Sequence, residues 1–306
     1  MAFAFETVDV FTEAQFGGNP LAVFPDARGL SSAAMQSLAA EFNLSETTFV
    51  LPPENKANTA RVRIFNRMAE MPFAGHPSIG TAFVLARAGL TTGNTLRLEV
   101  PAGIVAVTLE RDVDGTVVGG RLEAPQPLSV GATVAADTVA ACLGLRPADM
   151  VTATHQPTVA SVGNSFVIAE VSEDALGRCV PDLRAFKAAA AEVPELNGRF
   201  PVLVYAGHAA GHETGPGMVL RARMFSPISG TVEDPATGSA NAPLGALLLS
   251  LRSDDSIRFT VLQGVEMGRP SRLDVSALRG QDGIRASVAG RCVPMFRGEF
   301  AAVERG

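Results

Sequence analysis

Three cysteines in 306 residues, Cys142, Cys179 and Cys292, are odd in number and scattered, with no CxxC pair, so neither a disulfide framework nor a zinc knuckle is implied. They read as buried apolar thiols. No run of lysine or arginine occurs, and a formal net charge of -6 with a pI near 5.3 speaks against a nucleic-acid or polyanion surface. The expected partner is a small molecule. The longest apolar run, Pro243 to Leu251, falls far short of the ~20 residues that cross a bilayer, so no membrane partner is expected. The opening MAFAFETVDVF lacks a basic segment followed by a long apolar one and a small-residue cleavage site, which predicts a cytoplasmic protein. No GxGxxG and no Walker A string is present, so a nucleotide is not the anion to expect.

What the chain does contain is a near-repeat. HPSIGTA, from His76 to Ala82, returns as DPATGSA, from Asp234 to Ala240. A second echo pairs GGNPLAVF, from Gly17 to Phe24, with VGNSFVIA, from Val162 to Ala169, in the same order along the chain. Two ordered echoes predict a duplication. The length allows two halves of roughly 150 residues, each with its own core.

Patterning fills in the halves. Strands are expected at 3–11, 21–24, 48–51, 61–66, 96–100, 104–109 and 117–123, and again at 158–162, 166–171, 202–205, 219–225, 257–262, 272–275, 284–288 and 293–300. Helices are expected at 33–43, 135–143 and 182–190, and two prolines within 124–127 mark a linker. Each repeated motif leads into a helix that is apolar on nearly every side, 80–88 and 238–251, as enclosure by a sheet requires. The prediction is α+β, largely antiparallel, with a central helix wrapped by strands in each half.

Pro77 and Pro235 suit the first helical position, which makes His76 and Asp234 the expected N-caps. Asp is a favoured cap worth ~1 kcal/mol, so Asp234 carries a structural reading beside a functional one. His is not a favoured cap, and His76 points more toward function. The free N–H groups and dipole of each helix start suit an anion, with Gly75, Gly80 and Gly238 allowing close approach and Ser239 adding a hydroxyl. Two such starts facing one cleft would hold a carboxylate-bearing ligand. Asn19, closing the Gly17-Gly18-Asn19 turn, is counted as a further substrate-binding candidate. Glu46 follows the 33–43 helix and adjoins an apolar strand. It is either a solvated loop residue or, in a dry cleft, an acid with a raised pKa that both gives and takes protons.

Other polar groups rank lower. His208, His212 and Glu213 in GHAAGHE sit among glycines without a clear third ligand, and no metal is expected. His155 reads as a surface or capping residue. Arg269 would contact ligand or pair with Glu266, and 110–114 reads as a solvated hairpin.

On VDVFTEAQFGGNPLAVF, EFNLSETTFV, MPFAGHPSIGTA, EDPATGSA and QGVEMGRPSRLDV the chain resembles the phenazine-biosynthesis PhzF-like family, within the diaminopimelate epimerase-like superfamily. The resemblance implies two pseudo-symmetric lobes, each a mostly antiparallel β-barrel-like sheet around a central helix. The N-terminal lobe would be 1–125, with a final strand at about 294–306 returning to it, and the C-terminal lobe 126–293, with the active site in the cleft between them. It also implies a cofactor-independent isomerase, commonly homodimeric, whose characterised example moves a proton and a double bond in trans-2,3-dihydro-3-hydroxyanthranilate. Carried over by position, the acid/base glutamate falls on Glu46, and further site positions fall on His76, Asp234, Ser239, Gly75 and Gly238. Superfamily racemases place a cysteine at each helix start; here AGHP and EDPA contain none. Nor does the second half offer an evident twin of Glu46, since Glu192 and Glu195 lie in the dissimilar AEVPELNG. Transfer on one face of the substrate is expected. An epimerase with His76 or Asp234 opposing Glu46, and a binding or scaffold protein without turnover, stand as alternatives.

Overall fold

A computed structural model describes residues 2–207 and 217–301, and the chain divides into two units. The first ends at Glu123 and resumes at Ala289; the second spans Ala124–Val288 and begins at the two-proline stretch. His208, His212 and Glu213 lie outside the described residues.

The first unit contains β1 (Ala2–Val10), β2 (Asn19–Phe24), α1 (Ser32–Phe42), β3 (Glu46–Leu51), β4 (Ala60–Phe65), β5 (Glu70–Met71), α2 (Gly75–Arg87), β6 (Thr95–Val100), β7 (Gly103–Arg111) and β8 (Val117–Glu123). The second contains β9 (Ser129–Thr133), α3 (Ala136–Cys142), β10 (Met150–Val151), β11 (Thr158–Ser161), β12 (Ser165–Val171), α4 (Glu173–Leu176), α5 (Leu183–Glu192), β13 (Val202–Ala206), β14 (Val219–Ser226), β15 (Thr231–Asp234), α6 (Gly238–Ser250), β16 (Ser256–Gln263) and β17 (Ser271–Gly280). The last strand, β18 (Gly283–Ala301), is continuous where sequence patterning suggested two. Its residues from Ala289 onward belong to the first unit.

In the first unit the pairings close on themselves. β1, β2, β3, β4, β6, β7, β8 and β18 form a ring, with β18 returning antiparallel to β1 from Ala2↔Ala301 to Val10↔Cys292. Closure removes the unpaired strand edge. α2 threads the ring, buried from Gly75 to Leu85. A Cβ at Gly80 would lie 2.6 Å from Leu21 Cδ2 and 2.8 Å from Val10 Cγ2, so only glycine lets the helix pass this close to β1 and β2. Outside the ring, α1 lays Met35, Leu38 and Ala39 on Phe24, Phe49 and Phe65. Ser31 caps α1, accepting from Ala34 N at 3.1 Å, and Asn43 ends the helix in the left-handed region.

The duplication is written in the topology. β1–β2 is antiparallel, β2–β3 parallel, β3–β4 antiparallel, β4–β6 parallel and β6–β7 antiparallel. β11–β12, β12–β13, β13–β14, β14–β16 and β16–β17 repeat that series in the same order. Antiparallel pairs prevail, yet each unit carries two parallel pairs, and each needs a crossover. α1 and α2 supply the crossovers in the first unit; α4 with α5, and α6, supply them in the second. α6 is buried along nearly its whole length, and Gly245 brings it against Val275. All three cysteines are buried and unbridged.

The helix starts differ from the expected ones. α2 begins at Gly75 after Ala74, with His76 second, and α6 begins at Gly238 after Thr237, while Asp234 closes β15. Neither His76 nor Asp234 is an N-cap. The residue before a proline avoids the helical region, which keeps Met71 and Asp234 extended ahead of Pro72 and Pro235. Each helix then begins three residues after that proline. Pro77 is tolerated inside the first turn, whose N–H groups have no helical acceptor. By position, therefore, Pro72 matches Pro235, Gly75 matches Gly238 and His76 matches Ser239. The true repeat is MPFAGH against DPATGS, displaced by five residues from the textual one.

Ring closure generates a paired prediction. A Cβ on Gly119 would collide with the Gly290 carbonyl of β18, a backbone atom, whereas one on Gly120 would meet the Val107 side chain at 3.0 Å. Gly119→Ala is expected to cost roughly 2 kcal/mol or more and Gly120→Ala under about 1. Urea unfolding of the two variants decides it; equal midpoints would contradict the ring as drawn.

Candidate active site

At one mouth of the first ring, β2 and β3 begin and α2 starts. Their register sets Leu21 beside Glu46, and β3 starts on Glu46 itself rather than after it. Three candidates from distant parts of the sequence meet there. Asn19 Nδ2 lies 3.3 Å from His76 Nδ1, and His76 Nε2 lies 3.3 Å from Glu46 Oε2. Asn19 is fully buried, His76 is 5% exposed, and the Glu46 side chain keeps 17%. Because an amide nitrogen only donates, Nδ1 accepts and the proton sits on Nε2, facing the Glu46 carboxylate. That contact is close without meeting hydrogen-bond alignment.

Burial pushes the His76 imidazole from its ordinary 6.5 down to about 3, prevailing over the unaligned carboxylate. At neutral pH His76 is therefore an uncharged donor. The strand and helix that carry the pair are locked together behind it: Thr48 and Thr81 hydroxyls, both buried, lie 2.8 Å apart. Gly75 opens α2 with neither an acidic residue in the first turn nor a side-chain cap, which leaves the dipole end suited to an anion.

The second unit's helix start is a hydrogen-bonded knot. Thr237 Oγ1 donates to Asp234 Oδ2 at 2.5 Å, and Gln263 Nε2 donates to the Asp234 carbonyl at 2.8 Å. Asn241 Nδ2 donates to Gln263 Oε1 at 2.8 Å and to the Thr237 carbonyl at 2.9 Å. Asp234, Thr237, Asn241 and Gln263 are all buried. Ser239, second in α6, keeps part of its surface exposed, and Pro243 denies its carbonyl the usual i+4 donor. α6 also lacks a first-turn acid and a side-chain cap.

Sequence reading missed Thr48, Thr237, Asn241 and Gln263. Asn241 has a detectable counterpart: Ser78, at the same place in α2, donates to the Ala74 carbonyl at 2.8 Å as Asn241 does to Thr237. The place of a Glu46 twin can be read from register. Leu21 and Phe166 match in the second echo; Leu21 stands beside Glu46, and the β12–β13 pairing sets Phe166 beside Pro201, one step before Val167↔Val202. A proline cannot titrate. Glu195 accepts instead from Ala132 N at 2.8 Å, and Glu192 closes α5. Of the lower-ranked groups, His155 contacts the buried Tyr205 hydroxyl at 2.9 Å, and Glu266 pairs with Arg221.

Two such units, sheets wrapped on a central helix in a repeated strand order, define the diaminopimelate epimerase-like class of α+β proteins. A model of the phenazine biosynthesis-like protein family matches residues 8–298, and the chain belongs to that family, PhzF. An uncharacterized isomerase of Mesorhizobium japonicum is 37% identical over 299 residues, 95% of this chain and 96% of its own. The trans-2,3-dihydro-3-hydroxyanthranilate isomerase of Pseudomonas aeruginosa is 39% identical over 269 residues, 87% of each chain. The crystal structure of a Bacillus anthracis PhzF-family protein shares the fold with a TM-score of 0.85 at 24% identity, over 99% of this chain and 100% of that one.

The buried neutral His76 gives a pH signature. An unfolded chain binds this proton near 6.5, the folded one only near 3, so stability falls as pH drops through that window. Relative to His76→Asn, the wild-type chain should lose about 1.4 kcal/mol per pH unit between about pH 6 and 4. Urea midpoints at several pH values measure it. Parallel curves for the two proteins would show that His76 takes up its proton in the fold.

Proposed function

We propose that the chain is a cofactor-independent isomerase in which Glu46 moves one proton, and with it a double bond, within a small carboxylate-bearing substrate. The single observation that carries this reading is the buried contact of Glu46 with neutral His76, together with a proline where a second base would stand. Membership among relatives named as isomerases supports the reaction class. The ionised Glu46 carboxylate takes a proton from a carbon flanked by unsaturation. The bond electrons shift into the conjugated system, and the protonated Glu46 returns the proton to another carbon on the same face. Atoms and charge balance, with neither oxidation nor a second substrate. His76, as a neutral donor, and Asn19 orient Glu46 and the substrate.

Asp234 is assigned, with His76, to positioning the substrate and tuning its charge, and Ser239 with the backbone at Gly75 and Gly238 to holding its carboxylate. The Pseudomonas aeruginosa relative makes trans-2,3-dihydro-3-hydroxyanthranilate the first substrate to try. By family resemblance we further assign a cytoplasmic homodimer. Among the described residues no helix is long and apolar enough to cross a membrane.

The test is proton NMR of trans-2,3-dihydro-3-hydroxyanthranilate with enzyme in D2O. Isomerisation is expected for the wild-type chain, with Glu46→Gln slowed by roughly 10²–10⁴-fold. Full turnover by Glu46→Gln would overturn the assignment, and inversion at one carbon without bond migration would favour an epimerase. Binding without any exchange would favour a scaffold protein.

A further inference from the structure

Both helix starts are preceded by the same three-part fork, and it is used by nothing assigned so far. In the first unit Arg63, on β4, meets Glu70, on β5, through Nε to Oε1 at 2.8 Å and Nη2 to Oε2 at 2.6 Å. Its remaining nitrogen, Nη1, reaches α1, at Ser32 Oγ (2.8 Å) and Met35 Sδ (3.6 Å). In the second unit Arg223, on β14, meets Glu233, on β15, by the same two bonds at 2.8 Å each. Its Nη1 reaches the crossover region of α4, at the Leu176 and Cys179 carbonyls (2.9 and 3.1 Å). Each guanidinium also stacks on the aromatic ring two residues along, Phe65 at 5.0 Å and Phe225 at 4.9 Å. Strand register agrees: Phe65↔Glu70 with Ile64↔Met71, and Phe225↔Glu233 with Met224↔Asp234.

Only an arginine spans such a site, because its planar fork fills both carboxylate oxygens and still has a donor for a third element. The fork pins the end of a short strand to its neighbour and to the crossover at once. From that pinned end each chain runs through proline and two further residues to the glycine that opens the helix. Asp234 directly follows Glu233, and His76 lies six residues after Glu70.

We propose that the Arg63–Glu70 and Arg223–Glu233 forks are a duplicated pair of positioning residues, the first aiming His76 at Glu46 and the second aiming Asp234 at the substrate and Ser239 at its carboxylate. The inference rests on the function proposed above for those targets. Loosening the first fork disturbs the group beside the base, so it acts on turnover. Loosening the second disturbs the groups that hold substrate, so it acts on binding. A merely structural pair would lower the folded fraction, read by circular dichroism, and leave both KM and the kcat per folded molecule alone.

The experiment makes the same change in both forks, Glu70→Gln and Glu233→Gln, in the full chain, with trans-2,3-dihydro-3-hydroxyanthranilate as substrate. Glu70→Gln is expected to lower kcat roughly tenfold with KM within about twofold, and Glu233→Gln to raise KM roughly tenfold with kcat within about twofold. Unchanged constants, or the same pattern for both variants, overturn the proposal. Should either glutamine variant not fold, Arg63→Lys and Arg223→Lys keep both charges but cannot span three elements, and the same split is expected of them. If the wild-type chain does not act on this substrate, the proposed reaction fails separately, and amide hydrogen exchange decides the forks. Glu233→Gln must then speed exchange across 236–241 roughly tenfold relative to β16, and equal exchange overturns the proposal.

Discussion

A helix enclosed by a closed sheet has no free flank, and this constraint orders the rest of the first unit. Every side of α2 from Gly75 to Leu85 is buried, so polar function is confined to its end. The start of the helix emerges where β2 and β3 also begin, and Asn19, Glu46 and His76 meet there because each occupies the first or second residue of its element. The same enclosure keeps His76 uncharged, since the helix that carries it is surrounded by apolar side chains. Close passage of helix and strands in turn demands Gly80. Packing and chemistry are here two results of one topological choice.

The second unit repeats the framework and changes the contents. Its strand order, its crossovers, its proline-to-glycine approach and its fork are the same, while Ser239 stands where the first unit has His76, and Pro201 where it has Glu46. Gln263 and Asn241 tie the loop before α6 into buried hydrogen bonds. Hydrogen bonds among Gln263, Asn241, Thr237 and Asp234 hold the segment around Asp234 in place, with Asn241 Oδ1 the buried acceptor left over. One half carries a buried neutral histidine at its helix start and the other a hydrogen-bonded knot, on a common scaffold.

Much of the fold was legible in the residues. Alternation located most strands, and all-round apolarity identified both central helices. The short strands β5, β10 and β15 were not legible, because two to four residues carry no period. The parallel crossovers were hidden too, since pairing direction is decided by tertiary packing and leaves no mark on alternation. The repeat was detected but misaligned: HPSIGTA matches DPATGSA letter for letter better than MPFAGHP does, while geometry chooses the proline that precedes the helix by three residues. The strongest signal of the true alignment was present all along, an Arg-x-Phe and a Glu followed within two residues by Pro in each half, invisible to a search for identical strings. Glu46, His76 and Asn19 were named from the sequence, but their contact was not, because it joins residues 57 positions apart.

The arginine and glutamate of the fork are seven residues apart in the first unit and ten in the second. The turns, 66–69 and 227–230, are equally long; the extra length is one more ladder pair, Ser226↔Thr231, and the bulged Val232, and the forks keep the same bonding regardless. Because a β-bulge takes up an extra residue while the pairing resumes on either side, such a hairpin absorbs inserted residues at little expense. After the ancestral doubling, this was therefore a region where one copy was free to drift in length while its anchored ends stayed in register. Divergence of two copies that share a single chain requires such tolerant places, and the fork marks where tolerance stops.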